Sequence, residues 1–454
     1  MTTYYVDFST GSDSDSGLSE DLAWKTLNKV NTKTGYASGS SILLKRDEHW
    51  HEPLRLLYAT AGNVPLTVDA YGTGAEPIVS GGVHLDSGWA LQGGTSYIWR
   101  HTGLGYFVGS MIYNEAATPI YQVHSDTAVT DGGNTQGQFY YDAAGDYVDM
   151  WSVGDPAGFY SSIEGLQDIE GTGGGPYGIG MDDLTVRNLH FSKWGENGWS
   201  ISDCQNHTLE YCTLSLIGGA DDGQAFMPWQ DFSGLVCRYN TFHDVYNVAI
   251  TLQASGAYTA DNVKVHHNTV YDCYRALEIW QKNASPIFSN WDVCHNTFYN
   301  SGGGNFIKIG SSSRTAVLYL LNNSSSNLNI RNNIFHATTT SHWYAANTYI
   351  TGVNIDYNDY YPDTGTKFYY NGNNYSFADW KANTPFDDNS ITTDPLLTDA
   401  PAYDFHLQNG SPCIDTGVVI SGVDQQVAGA APDMGVYEKP IGQIVPLPTF
   451  FRVS

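Results

Sequence analysis

The chain has 454 residues, and because a single core stops growing at roughly 250 to 300 residues, it needs either several domains or a repeating architecture. With 20 Lys+Arg against 47 Asp+Glu the formal net charge is -27, a field that repels phosphate backbones and anionic lipids and argues against nucleic acid and membrane partners. Gly (48) and Tyr (32) are abundant and charged residues make up only 15%, a composition suited to turn-rich β structure rather than helices.

The opening MTTYYVDFST has no basic region followed by an apolar run, and no stretch of about 18 apolar residues follows anywhere, so no membrane-spanning helix is expected. An extracellular or virion location, with any signal peptide already removed, is the expectation. The run GSDSDSG at 11–17 lacks the third acidic position of a calcium loop. No cofactor is expected, with calcium held by scattered Asp left open. A short amphipathic helix near Trp24 to Val30 is expected within a cap formed by residues 1–60. Residues 61–360 are expected to form the repeating body, with a Gly-rich insertion at about 125–180, and 361–454 to close it. The glycines of GTGGGPYGIG lack the strand-to-helix context of a phosphate loop.

From 184 to 360 one motif recurs: LTVRNLHF ending at Phe191, HTLEYCTL at Leu214, LVCRYNTF at Phe242, VKVHHNTV at Val270, WDVCHNTF at Phe298, LNIRNNIF at Phe335 and VNIDYNDY at Tyr360. The loose period is that of a solenoid whose turns accept insertions. Val186, Leu209, Cys237, Val265, Val293, Ile330 and Ile355 form an apolar column. The next position holds Arg187, Glu210, Arg238 and His266, so the alternation is that of a strand with one face inward, and the charged column reads as a cross-rung ladder. Asn240, Asn268, Asn296, Asn333 and Asn358 form a third column, read as stacked amides bonded from rung to rung. Without helical periodicity, the fold expected is all-β, a parallel β-helix with capped ends. The six cysteines show no CxxC pair and read as small buried residues, and His266 and His267 lack a third zinc ligand.

The N-terminal stretch YYVDFSTGSDSDSGLSEDLAWKTLNKV, with SILLKRDEHW and LTVDAYGTGAEPIVSGG, and the closing DPLLTDAPAYDFHLQNGSPCIDTG with DMGVYE, resemble bacterial and phage proteins of the pectate-lyase-like superfamily. The resemblance implies a right-handed parallel β-helix. It leaves the reaction open among polysaccharide lyases, glycoside hydrolases, epimerases and phage tailspikes.

A second strand follows each motif, and aligning ENGWSIS, DDGQAFM, YNVAIT, YRALEI and GNFIKI places Glu196, Asp221 and Asp222 on neighbouring rungs. Close carboxylates divide into an acid and a base or nucleophile, as glycoside hydrolysis requires. The bland alternative is a solvated GADDG turn. Trp199 and Trp229, with Trp194, are expected to rim this cluster as sugar platforms. The same alignment puts Ile201, Phe226, Ile250, Glu278 and Lys308 in one column. Glu278 and Lys308 then form either a surface ion pair or, with Arg275 and Trp280, a site that neutralises and deprotonates a uronate. The function expected first is glycoside hydrolysis of a polysaccharide by Asp221, Asp222, Glu196 and Glu278, with Arg275, Lys308, Trp280, Trp229 and Trp199 binding substrate. The alternatives are a lyase and a tailspike-like glycan binder, the chain being a monomer or a homotrimer. The apolar tail IGQIVPLPTFFRVS is expected to dock on this chain or a neighbour.

Overall fold

The structure, a computed structural model, describes residues 1–440 apart from 116–119, 126, 169–174, 220–222, 282–286, 304–315, 322–324, 339, 346–351 and 425–426. The apolar tail from 441 onward lies outside the described residues.

Three long parallel sheets wind around one core, and from Ser40 on the chain visits them in the order A, B, C on each turn. Sheet A begins with Thr3–Val6, Ser40–Lys45 and Leu66–Tyr71 and runs to Val353–Asp356; sheet B runs from His49–Trp50 to Asp359–Tyr361; sheet C runs from Arg55–Leu57 to Phe368–Tyr370, where Asn373–Tyr375 pairs antiparallel and ends it. This is the right-handed parallel β-helix that the resemblance implied. The first 60 residues supply strands to all three sheets, so they form the first turn as well as its cover.

Register follows the sequence columns. Val186 pairs with Leu209, Leu209 with Cys237, Cys237 with Val265, Val265 with Val293, and on to Ile330 and Ile355, and every member is at most 1% exposed. One position on, the charged column lies outside. Arg187 reaches Asp69 at 2.7 Å and Glu210 at 3.7 Å, and Arg238 reaches Glu210 at 2.7 Å. Phe191, Leu214, Phe242, Val270, Phe298, Phe335 and Tyr360 line the interior of sheet B.

The asparagine column sits at the corner between sheets A and B. Each side-chain oxygen accepts from both the backbone N–H and the Nδ2 of the asparagine one rung before it, all at 3.0 Å, from Asn240 through Asn268, Asn296 and Asn333 to Asn358. Each Nδ2 also donates to a sheet A carbonyl, as Asn296 does to Val265 at 3.0 Å. The left-handed residue of the corner is the one before the asparagine: Tyr239, His267, His295, Asn332 and Tyr357 have φ of 57°, 55°, 53°, 58° and 56°. The ladder starts at Cys212, whose N–H donates to Asn240 at 2.9 Å, and ends at Ser390 Oγ, which accepts from the Asn358 N–H at 2.8 Å.

Both ends are covered. The short helix Leu27–Thr32 buries Leu27 and Val30 at one end, and Phe377–Asn383 sets Trp380 on the last turn of the core, stacked on Phe368 at 5.2 Å and bonded through Nε1 to buried Asp387 at 2.7 Å. Near the N terminus Asp13 spends its oxygens on the N–H groups of Lys25 and Thr26 and the Thr26 hydroxyl. All six cysteines are free and buried. No helix among the described residues is long and apolar enough to cross a membrane.

The insertion lies earlier than the glycine-rich segment suggested. The chain leaves after Ile78–Ser80 of sheet B, builds two four-stranded antiparallel sheets between Gly82 and Asp168 around a core of their own, and re-enters sheet C at Tyr177–Ile179. Phe139–Asp142 and Tyr147–Trp151 alternate like ordinary half-buried strands, so composition alone gave no edge to mark where it starts.

Replacing Asn296 by Ala strands buried groups on both adjacent rungs, each costing about 1–3 kcal/mol. Urea unfolding is expected to show a loss of about 2–4 kcal/mol, whereas Ala at Asn354, exposed on sheet A, should change stability by less than about 0.5 kcal/mol. Equal small effects would remove the ladder as a stabilising feature.

Candidate functional site

The candidate residues gather on one corner of the helix, the turn from sheet B to sheet C. Lys193, Glu196 and Asn197 lie on it between His190–Ser192 and Trp199–Ser202, and Asp272 and Arg275 between Thr269–Tyr271 and Leu277–Gln281. The insertion springs from this same corner and docks against it. Gly195 N–H donates to Gln167 O at 2.8 Å, Gln167 N–H to Gly81 O at 3.0 Å, and Ser110 Oγ to Gly218 O at 2.6 Å. A side chain at Gly109 would stand 2.3 Å from Gly195 O, so the approach requires glycine.

Lys193 clamps the seam, its Nζ 2.7 Å from Glu164 and 2.8 Å from Glu115. Burial pushes the Glu164 carboxyl up despite the lysine. Burial also opposes ionisation of Glu115, but there the hydrogen bond and charge of Lys193 win and hold it below its ordinary value. The backbone contact at Gln167–Gly195 makes buried Asp168 and half-buried Glu196 its two flanking residues. Asp221 and Asp222 lie outside the described residues. The strands that follow them and Glu196 are paired neighbours, with Trp199 opposite Phe226.

Beyond the corner, the outer face of sheet C carries two columns. In one, Thr251 stands opposite Glu278 and Glu278 opposite Tyr319; in the other, Trp229 stands opposite Gln253 and Gln253 opposite Trp280. Glu278 is only 7% exposed. Its Oε1 accepts from Thr251 Oγ1 at 3.1 Å and Gln253 Nε2 at 3.2 Å, while Arg275 Nη1 lies 3.5 Å from Oε2 and donates to Asn247 at 3.1 Å. The guanidinium also lies over the Tyr319 ring at 4.6 Å, and Trp229 and Trp280 are half-buried on either side of Gln253. The result is an oriented carboxylate edged by aromatic rings.

Several expectations are corrected. Trp199 is not a rim residue: it points inward opposite Phe226, is 0% exposed, and donates from Nε1 to His207 Nε2 at 3.2 Å. Trp194 is likewise buried, bonded to Val79 O. Ile250 and Glu278 do not share a column, because Ile250 pairs with inward Leu277 and Glu278 with outward Thr251. The next sheet C strand is Ala316–Leu321, which sets Tyr319 against Glu278; Lys308 lies outside the described residues. The partner of Glu278 among the described cations is Arg275, at 3.5 Å. Asn247, Thr251 and Gln253 were missed, although each falls one repeat before a residue that had been singled out. Asp244 and Asp272 also share a column, two residues past the endpoints Phe242 and Val270.

No family model matches this chain. Over 93 residues it is 36% identical to a lacto-N-biosidase of Bifidobacterium longum subsp. longum, a match that covers 19% of the chain and only 6% of that relative. Solved structures similar to it include XylC in complex with xylose (TM-score 0.45, 13% identity, 74% of this chain and 69% of that one). A GH136 lacto-N-biosidase from Eubacterium ramulus (0.39, 11%, 87% and 68%) and pectate lyase Pel9A (0.39, 14%, 97% and 96%) are also similar. The fold itself rests on the strand pairing: this is a parallel β-helix protein with a β insertion at one corner.

The two tryptophans separate core from surface. Trp199→Ala should cost about 3–5 kcal/mol in a denaturation experiment. Trp280→Ala should leave the unfolding midpoint nearly unchanged while reducing retention in glycan affinity electrophoresis; the reverse pattern would return Trp199 to the surface.

Proposed function

We propose that this chain is a polysaccharide-degrading enzyme, a glycoside hydrolase whose substrate lies along the corner between sheets B and C. The observation that carries this reading is the Glu278 cluster: a carboxylate held by Thr251, Gln253 and Arg275, beside the half-buried faces of Trp229 and Trp280. Aromatic faces suit the apolar faces of sugars, and converging polar groups fix orientation. The stretch shared with a lacto-N-biosidase supports a glycan substrate.

In such a reaction one carboxylic acid protonates the leaving oxygen and a second carboxylate acts as base or nucleophile, at separations of about 6.5–9.5 Å for inversion or 5–5.5 Å for retention. Glu278, accepting hydrogen bonds from its neighbours, suits the base or nucleophile role. Glu196 precedes Trp199–Ser202, three sheet C strands from Leu277–Gln281 and so about 14 Å along the helix, too far to partner Glu278; the acid candidates are Asp221 and Asp222, from their place in the sequence. Elimination is the less supported reading, because Arg275, the group that would neutralise a uronate, is engaged by Glu278, Asn247 and Tyr319.

Digestion of a panel of xylan, β-glucan, pectin and alginate, followed by reducing ends and near-ultraviolet absorbance, tests this. Cleavage without an absorbing unsaturated product is expected, with Glu278→Gln slower by about 10²–10⁴-fold. An unsaturated product would assign a lyase instead, and full activity in both Asp221→Asn and Asp222→Asn would remove those two residues. A chain that cleaves nothing and sediments as a trimer fits a glycan-binding spike.

A further inference from the structure

The closing segment meets the body in two places. On sheet B, Tyr403 stacks on Tyr271 at 4.1 Å and its hydroxyl donates to Asp272 at 2.7 Å. Farther on, residues 417–424 lie on the outer face of sheet A and on its corner with sheet B. The outward column of sheet A shows where this cover begins: Arg187 and Arg238 keep 42% and 39% of their side chains exposed, whereas His266 and Cys294, on the next two rungs, are 3% and 1% exposed. Ile420 and Val423 close over Cys294, and Lys264 Nζ donates to Gly422 O at 3.0 Å. Asn332 pairs with Val418 in both directions, accepting from its N–H at 2.9 Å and donating to its carbonyl at 2.7 Å.

Three histidines stand where the segment docks. His266 Nδ1 and His267 Nδ1 are 2.8 Å apart, so one proton lies between them, and a second would set N–H against N–H. His267 is stacked between Tyr239 at 5.0 Å and His295 at 4.9 Å. His295 reaches Asp433 O from Nδ1 at 3.0 Å and Asp424 Oδ1 from Nε2 at 3.0 Å, with Asn332 Nδ2 also 3.0 Å from Nε2. The side chains of His295 and Asp424 are 1% and 3% exposed. Burial first, then the charges of Arg238, His295 and Lys264, push His266 down to about 3, with Asp424 opposing them. Burial, then His295, His266 and Arg238, hold His267 well below its ordinary value. In Asp424 burial opposes ionisation, but the hydrogen bond and charge of His295 outweigh it. Asp433 and Glu438 are further carboxyls that interact with the charge of His295.

We propose that residues 417–424 form an acid-released latch, held on sheet A by the His295–Asp424 pair while His266 and His267 are uncharged, and opened when those two rings take up protons. A hydrolase, a lyase or a glycan-binding protein would carry this device equally, so it does not rest on the reading above. Once uncovered, a histidine titrates at its ordinary value of about 6.5. Below that pH the open form binds more protons than the closed one, so the latch is fully held above about pH 6.5 and weakens as the pH falls toward the depressed values of the closed form. With two rings involved, the open fraction grows by up to about 100-fold per pH unit.

Cys294 reports the opening, because its thiol lies under Ile420 and Val423 while Cys212, Cys237 and Cys273 lie inside the core. The test is labelling of the whole chain with 4,4′-dithiodipyridine from about pH 7.5 to about pH 4.5, each rate normalised to glutathione at the same pH and the modified cysteine identified by peptide mass. Labelling of Cys294 should be slow at neutral pH and rise below about pH 6.5 by about tenfold to 100-fold per pH unit, with the three interior cysteines unmodified. His267→Asn, which gives this left-handed corner the residue type that Asn332 supplies two rungs on, should limit the rise to about tenfold per unit, and His266→Gln combined with it should abolish the rise. Asp424→Asn should speed Cys294 labelling at neutral pH by about tenfold or more. Flat labelling across this range, interior cysteines modified at the same onset, an undiminished rise in the double variant, or no effect of Asp424→Asn overturns the latch. Should the double variant not fold, the rise at Cys294 against the interior cysteines of the unaltered chain still decides.

Discussion

The geometry depends first on the rung-to-rung register at the corner between sheets A and B, where each asparagine amide accepts from the rung before it and donates onward. A parallel strand pair can slip, and a slip of one residue turns every side chain to the other face. A buried amide that must satisfy two donors and two acceptors on its neighbouring rungs makes such a slip costly. Every outward column, including the one that holds Glu278, inherits its alignment from this fixed corner.

Given fixed register, chemistry can be assembled from residues far apart in the chain. The corner between sheets B and C is free of the ladder's constraint and accepts turns of different lengths, from the few residues before Val248–Ala254 to the whole segment between Ser80 and Tyr177. That freedom is what lets carboxylates, aromatic rings and the docked insertion meet there. The solenoid supplies stiffness on one side and variation on the other, the usual division between scaffold and functional loops.

The fold was legible because its signals recur. A single apolar column says little, but Val186 to Ile355 repeating in phase leaves one solution, and the five asparagines stack as read. The site was legible only where the turn length is constant. Asn247 and Arg275 do meet as aligned, but the spacing then shortens by one residue, so the same alignment set Ile250 instead of Thr251 beside Glu278; in the first rungs a longer turn shifts the phase, and Trp199 was read as surface when it faces the core. The sheet C strand paired with Leu277–Gln281 is Ala316–Leu321, so an alignment that took the segment from residue 304 as that rung's second strand could not find Tyr319. Tyr403 was invisible for another reason: it meets Asp272 from 131 residues away, and no local pattern announces a contact made by a closing segment.

The insertion begins and ends at one corner, leaving after Ile78–Ser80 and returning at Tyr177–Ile179 as though the intervening chain were a detour. Because it has its own core, such a module can be exchanged, enlarged or lost without disturbing the winding on either side of it. The winding of the three sheets is therefore independent of the segment that interrupts it at this corner.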